Sequence, residues 1–403
     1  MKINELRMAF ANTFAGSKEP RFFYAPGRVN LIGEHIDYNG GYVFPCALTL
    51  GTYAAISPRE DDIIQVYSAN IEPLVIINSD NLAYDPAHGW ANNPKAVTKL
   101  LRDMGHTVSG YNLYVWGNLP HSAGLSSSAS MNVLVATALN TIFSFGLTPV
   151  DIALLCQRAE NEYLGVNCGI MDQFASAMGR KDHAILLDCN TLDYKYVPLE
   201  LGDYKLILAN TNKPRVLADS KYNERRAECE QALESLQQFC DINNLCDLSF
   251  DSKFIESCNQ AFGDEKGIAY KRAYHAVSEN DRVKSATEAL TRGDLISFGA
   301  AMTASHVSLR DFYEVTGHEL DSLTYAAYEF EAMTKFDESA LPSAKMLGSR
   351  MTGAGFGGCT VSIVHKNSVD DFIREVGQRY TELTGLVADF YVAETDDGAR
   401  EIF

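Results

Sequence analysis

The chain has 403 residues, 46% of them hydrophobic and 21% charged, an ordinary globular composition with length enough for two domains. Its net charge of −18 argues against holding nucleic acid or an anionic membrane by charge. The nine cysteines form no Cys-x-x-Cys pair, the nine histidines show no zinc-ligand spacing, and neither a membrane-length apolar run nor a leader segment is recognisable, so a cytoplasmic protein with reduced thiols is expected.

In chain order, residues 1–20 predict an amphipathic helix and a turn. Residues 21–80 are rich in β-branched and aromatic side chains and predict strands, with turns at 39–41 and 57–58. A helix over 90–104 and a strand over 111–116 follow, then helices over 130–143 and 149–164. Residues 182–187 and 205–209 predict strands, and 219–240 and 266–296 helices. Residues 334–345 predict a loop or small insertion, and strand, glycine-rich turn and strand fill 348–366. No repeat, low-complexity tract or compositional break marks a domain boundary.

The stretch Pro120-His-Ser-Ala-Gly-Leu-Ser-Ser-Ser-Ala-Ser130 joins a predicted strand to a predicted helix. Small residues opening a helix expose backbone N–H groups at the positive end of its dipole, a ready site for phosphate. The Gly-Lys-Ser/Thr ending of a Walker loop and the three glycines of a dinucleotide fingerprint are both missing. Taken alone, the stretch reads as a Ser-rich turn and helix cap. Two further segments change that reading: Ala25-Pro-Gly-Arg-Val-Asn-Leu-Ile-Gly-Glu-His-Ile-Asp-Tyr-Asn-Gly-Gly41 and Met351-Thr-Gly-Ala-Gly-Phe-Gly-Gly358. Together the three resemble the motifs of the GHMP small-molecule kinases, which include galactokinase, homoserine kinase, mevalonate kinase and phosphomevalonate kinase. The galactokinase branch is the nearer match. Residues 27–38 resemble its signature, and Cys168-Gly-Ile-Met-Asp-Gln173, Ala218-Asp-Ser-Lys-Tyr-Asn-Glu-Arg-Arg226, Ser278-Glu-Asn-Asp-Arg282 and Ser305-His-Val-Ser-Leu-Arg310 resemble further segments of it.

The resemblance implies an α/β (α+β) fold of two domains, with mixed sheets flanked by helices and the active site in the cleft between them. Residues 1–179 would carry the sugar signature and the Ser-rich loop, and 180–403 the Gly-rich third motif. It implies ATP-dependent phosphorylation of the C1 hydroxyl of α-D-galactose, giving galactose 1-phosphate and ADP in galactose catabolism. Galactose and ATP would be the partners, magnesium the cofactor, and a monomer the working form. An acidic chain repels ATP, so the nucleotide site needs a metal ion and oriented N–H groups.

Phosphoryl transfer needs phosphate binding, a magnesium ion, a destination for the acceptor's proton and a stabilising cation. For phosphate, the resemblance implies Gly124, Leu125, Ser126, Ser127 and Ser128, with Trp90 near the adenine. For the metal it implies Ser128 and Glu160, although a lone helix glutamate is more often a solvated surface residue. Asp172 is the candidate for the proton; its competing reading is an N-cap for the helix that follows. Arg28 is the candidate cation, against a purely structural ion pair. Opposite charges about 4 Å apart attract by roughly 4 kcal/mol at an effective dielectric of 20. Two mechanisms therefore stay open: Asp172 takes the C1 proton before or during attack, or Asp172 and Arg28 orient and polarise while the proton leaves late. Glu34, His35, Asp37, Gly169 and Tyr222 resemble galactose contacts, where a polar site rejects the wrong epimer by leaving buried groups unpaired. A charged loop with an Asx turn at Asp37, and a core tyrosine at 222, are the plainer alternatives.

Ile36, Asn93, Asn132 and Phe312 depart from the usual Thr, Tyr, Glu and Asp. None removes a proposed catalytic group, and Asn93 puts nucleotide affinity most in question. A kinase for N-acetylgalactosamine or arabinose, or a non-catalytic galactose and ATP sensor, are the alternative functions. The intact Ser126–Ser130 run, Asp172 and Arg28 argue against the sensor.

Overall fold

The computed structural model describes residues 2–71, 73–120, 124–213, 218–263, 266–332 and 344–403, without the side chains of 218–220. Its strands are β1 Arg21–Asn30, β2 Tyr42–Val43, β3 Pro45–Pro58, β4 Ile63–Ser68, β5 Val75–Asn78, β6 Tyr111–Gly117, β7 His183–Asp188, β8 Tyr194–Pro198, β9 Tyr204–Asn210, β10 Met346–Thr352, β11 Cys359–His365, β12 Asp389–Ala393 and β13 Arg400–Ile402. Its helices are α1 Ile3–Thr13, α2 Asn92–Asp103, α3 Ser127–Phe143, α4 Pro149–Arg158, α5 Met171–Met178, α6 Ala218–Leu236, α7 Ser252–Phe262, α8 Ile268–Thr291, α9 Leu295–Ser308, α10 Gly317–Ala332 and α11 Val369–Thr384.

Among the described residues the strands form three sheets, ordered β13-β1-β3-β6-β4-β5, β10-β11-β9-β12 and β2-β7-β8. The first is mixed: β4 runs parallel to β6 and the other pairs are antiparallel. The fold is therefore the expected α/β arrangement of sheets flanked by helices, although only the first sheet is mixed and the other two are antiparallel. The inner faces of β1, β3 and β6 bury an almost continuous apolar set against α3, while α1 covers the opposite face through Leu6, Phe10 and Phe14. The second sheet packs on α10 and α11 through Leu323, Phe330, Phe372 and Tyr380. A division at residue 179 does not separate the sheets cleanly, because the last strand, β13, pairs with β1.

Several local expectations change. The turn expected at 57–58 comes later, because β3 runs through Pro58, which ends its pairing opposite Tyr111; a proline tolerates a strand end, where its missing N–H costs little. The helix expected over 266–296 is two helices. Gly293, at φ +74°, ends the first, and the Asp294 side chain accepts from the Ser297 N–H to start α9. The helix expected from 130 begins at Ser127, and that over 149–164 widens into a π turn over Ala159–Leu164. The expected loop at 334–345 lies mostly outside the described residues, as do residues 121–123 of the Ser-rich stretch.

Candidate active site

The three motifs meet at the Gly124-Leu125 backbone. The β1–β3 register shifts between Pro26 and Arg28, where the partner moves from Gly51 to Ala47 and the extra residues lie in β3; Arg28 follows this irregularity. A Cβ on Gly27 would stand 2.7 Å from the Leu125 carbonyl oxygen, and one on Gly353 would stand 2.6 Å from that of Gly124, so side chains are excluded at both approaches. Arg28 is buried. Its Nη1 donates to the Gly124 carbonyl at 2.7 Å, and its Nε donates to Asp172 Oδ1 at 2.7 Å. Asp172 lies in the first turn of α5, whose cap position is Ile170, so the N-cap reading of Asp172 does not hold. Ser126 precedes α3 in a left-handed conformation, φ +60°, and makes no side-chain cap. Its hydroxyl donates instead to Asp172 Oδ2 at 2.5 Å. The cap reading of the loop therefore fails too, and Ser127 and Ser128 stay exposed at the helix start.

Arg28, Glu34, His35, Asp37, Gly124, Leu125, Ser126, Ser127, Ser128, Glu160, Gly169, Asp172 and Tyr222 line one cavity, and Trp90 and Asn93 line a second. The two adjoin, sharing Leu119, Pro120, Ser127 and Ser128. A chamber beside Asp172 and a chamber holding an aromatic ring thus flank the same helix start.

In the first motif, Glu34 lines the cavity with its carboxylate already engaged. Its Oε1 accepts from Thr352 Oγ1 (3.1 Å) and the Gly353 N–H (2.8 Å), and its Oε2 accepts from Asn30 Nδ2 (2.7 Å) and pairs with Arg350 (2.5 Å). A carboxylate has about four such lone-pair sites, so Glu34 mainly ties the first motif to the third. His35 is neutral: burial, with His275 nearby, lowers its pKa to about 3. Burial, reinforced by the charge on Asp172, raises the Asp37 carboxyl to about 6, against N–H donors from Met171 and Tyr38. A Cβ on Gly169 would fall 2.0 Å from Asp37 Oδ2, so only glycine lets that carboxylate sit there. Tyr222 on α6 closes over His35 with ring centroids 5.5 Å apart.

Glu160 is only 4% exposed, which removes the solvated-surface reading. The π turn carries it into the cavity wall, where Asn132 Nδ2 donates to its Oε1 at 3.0 Å. The Asn132 carbonyl oxygen beside it is buried without a partner. A carboxylate and a hydroxyl, Glu160 and Ser128, form an oxygen donor set that suits magnesium, which keeps waters and phosphate oxygens for its other positions. Among the described residues no cluster of three His, Cys, Asp or Glu side chains could cage a metal by itself.

Some groups that build the site carry weak sequence signals. Arg350 stands in the otherwise uncharged β10 and is fully buried; a charge in such a strand was the available clue. The segments 278–282 and 305–310 hold the sugar loop from behind. Glu279 accepts from the Gly33 N–H (3.0 Å), Ser305 Oγ (2.5 Å) and Arg282 Nε (2.7 Å). His275, one turn earlier on α8, sits 3.1 Å from the Glu34 carbonyl oxygen.

Two family models place this architecture in a class: the GHMP kinases N terminal domain matches residues 92–180 and the GHMP kinases C terminal matches 286–382. A third, the galactokinase galactose-binding signature, matches residues 8–58. The chain is 49% identical to a galactokinase of Clostridium perfringens over 100% of both chains, and 51% identical to one of Fusobacterium nucleatum over 98% of both. It superposes on the crystal structure of Lactococcus lactis galactokinase complexed with galactose at a TM-score of 0.92, with 43% identity over 99% of this chain and 100% of that one. The chain belongs to the GHMP kinases and, within them, to the galactokinase family.

Proposed function

We propose that the chain phosphorylates the C1 hydroxyl of α-D-galactose with ATP, releasing galactose 1-phosphate and ADP. The observation that carries this reading is the Arg28–Asp172 pair, set where the Ser-rich loop meets the sugar loop. In this reading the sugar lies among Glu34, His35, Asp37, Gly169 and Tyr222, and the triphosphate lies along Gly124, Leu125, Ser126, Ser127 and Ser128. The base stacks in the chamber of Trp90. Ser128 and Glu160 hold magnesium, which when bound offsets charge on the phosphate oxygens. Asp172 orients the C1 hydroxyl and receives its proton, while Arg28 steadies the charge that develops as the O1–phosphorus bond forms and the bond to the ADP oxygen breaks. The Asp172 charge is already shared with a guanidinium and a hydroxyl, which favours the later of the two proton timings.

The protein works in this reading as a cytoplasmic monomer. None of its nine cysteines is in a disulfide, and no described helix is long and apolar enough to cross a membrane. The test is ADP release from magnesium-ATP with galactose, glucose, N-acetylgalactosamine and arabinose in parallel. Release with galactose alone is expected. Release only with another sugar moves the specificity, and galactose binding without release with any sugar turns the reading to a sensor.

A further inference from the structure

His35 has its two ring nitrogens engaged by groups of different kinds. Nε2 is 3.1 Å from the Ala354 carbonyl oxygen, which can only accept, so Nε2 carries the hydrogen. A neutral imidazole then has a bare Nδ1, and the Tyr38 hydroxyl 2.8 Å away must donate to it. Having spent its hydrogen, the Tyr38 oxygen accepts from the Tyr313 hydroxyl at 2.7 Å. The Tyr313 oxygen in turn accepts from the Cys229 thiol at 3.0 Å, and burial keeps that thiol protonated, with its pKa raised to about 11. The Asn39 amide closes the circuit, one N–H reaching Cys229 Sγ (3.6 Å) and the other the His35 carbonyl oxygen (2.8 Å). Reversing the order would set a bare Nε2 lone pair against the Ala354 carbonyl.

The ring of Tyr313 is also clamped, its centroid 4.8 Å from that of His35 and 4.5 Å from that of His275. The π turn Leu309–Tyr313 at the end of α9 brings it there, and it is fully buried and outside the sugar cavity. We propose that Tyr38 and Tyr313 are positioning residues for the sugar site, a hydroxyl relay that complements the Nε2–H tautomer set by the Ala354 carbonyl and locks the His35 ring against the Gly-rich turn. A hydroxyl arriving beside Nε2 then meets a hydrogen it must share with the Ala354 carbonyl, not a bare lone pair. Tyr313 acts only through Tyr38, by filling the lone pair that would otherwise let the Tyr38 hydrogen turn away from Nδ1.

The test uses the full chain carrying Tyr38→Phe, Tyr313→Phe and both together, each keeping the aromatic ring. In ligand-free protein with ¹⁵N-labelled histidine, wild type should give the Nε2–H signature at His35, and Tyr38→Phe, which leaves the Ala354 carbonyl in place, should keep that tautomer but move the Nδ1 resonance to that of a lone pair without a hydrogen bond. In the kinase assay each single variant should raise the KM for galactose about three- to tenfold, the fold-change expected from one lost neutral hydrogen bond, with kcat and the KM for ATP within about twofold. The double variant should be no worse than Tyr38→Phe alone. Additive losses, a KM for ATP that rises in parallel, or an unchanged Nδ1 resonance and KM in both singles would each overturn the relay. The kinetic arm rests on the function proposed above and the spectroscopic arm does not, so a wild type inactive on galactose overturns that function while the spectrum still decides the relay.

Discussion

The sugar loop and the Ser-rich loop sit side by side and are built in opposite ways. In the first, Asn30, Glu34, His35, Tyr38 and Asn39 are tied to one another and to β10, the Gly-rich turn, α6, α8 and the π turn at Tyr313, and Glu34 has a partner at every lone pair. In the second, Ser126 leaves the helix uncapped and Ser127 and Ser128 face solvent. The difference follows from the ligands proposed for each. A neutral polyol is told from its epimers by groups that cannot turn to suit the wrong one, so its loop is fixed beforehand. A phosphate chain needs N–H groups left open at a helix start, and one capped by its own side chains has fewer donors to offer. Asp172 stands at the junction, held by one group from each loop.

Removing the junction should have the largest effect. Asp172→Asn keeps the shape but not the charge or the proton acceptor, and turnover should fall by about 10²–10⁴-fold. ATP affinity, measured by calorimetry, should hold; near-normal turnover would remove Asp172 from the chemistry. Breaking the fixed loop comes next. Glu34→Ala strands Arg350, which is fully buried, and leaving such a charge unpaired costs about 3–5 kcal/mol. The unfolding midpoint in urea should drop accordingly, and affinity for galactose should fall much more than affinity for ATP. Equal losses of the two affinities would make Glu34 a general strut between the motifs rather than part of the sugar loop.

What the sequence made legible divides along the same line. Contiguous motifs fixed which residues gather at the cavity, because Gly27, Gly169 and Gly353 sit where backbone or carboxylate must approach closely and no larger residue fits. The arrangement behind them was not legible. Two π turns, at Ala159–Leu164 and Leu309–Tyr313, aim Glu160 and Tyr313 inward, and a one-residue widening leaves no periodicity strong enough to read. The pairing of β13 with β1 joins residues some 380 positions apart, as in the Arg21–Glu401 contact, and no local pattern announces it. The break between α8 and α9 had a signal in Gly293-Asp294, a left-handed stop followed by a cap, which helical charge spacing across 266–296 obscured.

The smallest effect, and the one that most sharpens the contrast, is the pH dependence of sugar binding through Asp37. Burial, and then the neighbouring Asp172 charge, hold its carboxyl at about 6, with Arg28 and the Met171 and Tyr38 N–H groups pulling the other way. Sugar hydroxyls donate to the ionised form, so galactose affinity should rise with pH up to about 6 and level off above it, losing about tenfold for each unit below. Folding stability carries the opposite sign at this residue. A carboxyl whose pKa is raised in the folded state stabilises the fold below its unfolded value, and that contribution is lost as pH climbs through about 6. His35 and His275, lowered to about 3 and 4 chiefly by burial, mask this in the whole protein, because their contribution is present above the unfolded histidine value and is lost as pH falls. The comparison must therefore be wild type against Asp37→Asn, titrated with galactose at pH 5 and pH 7 without nucleotide. Wild type should bind about tenfold more weakly at the lower pH, and the variant should be flat. A flat wild type would mean that Asp37 does not meet the sugar as a carboxylate, leaving it as a wall held by Gly169 rather than the acceptor that the fixed loop was built to present.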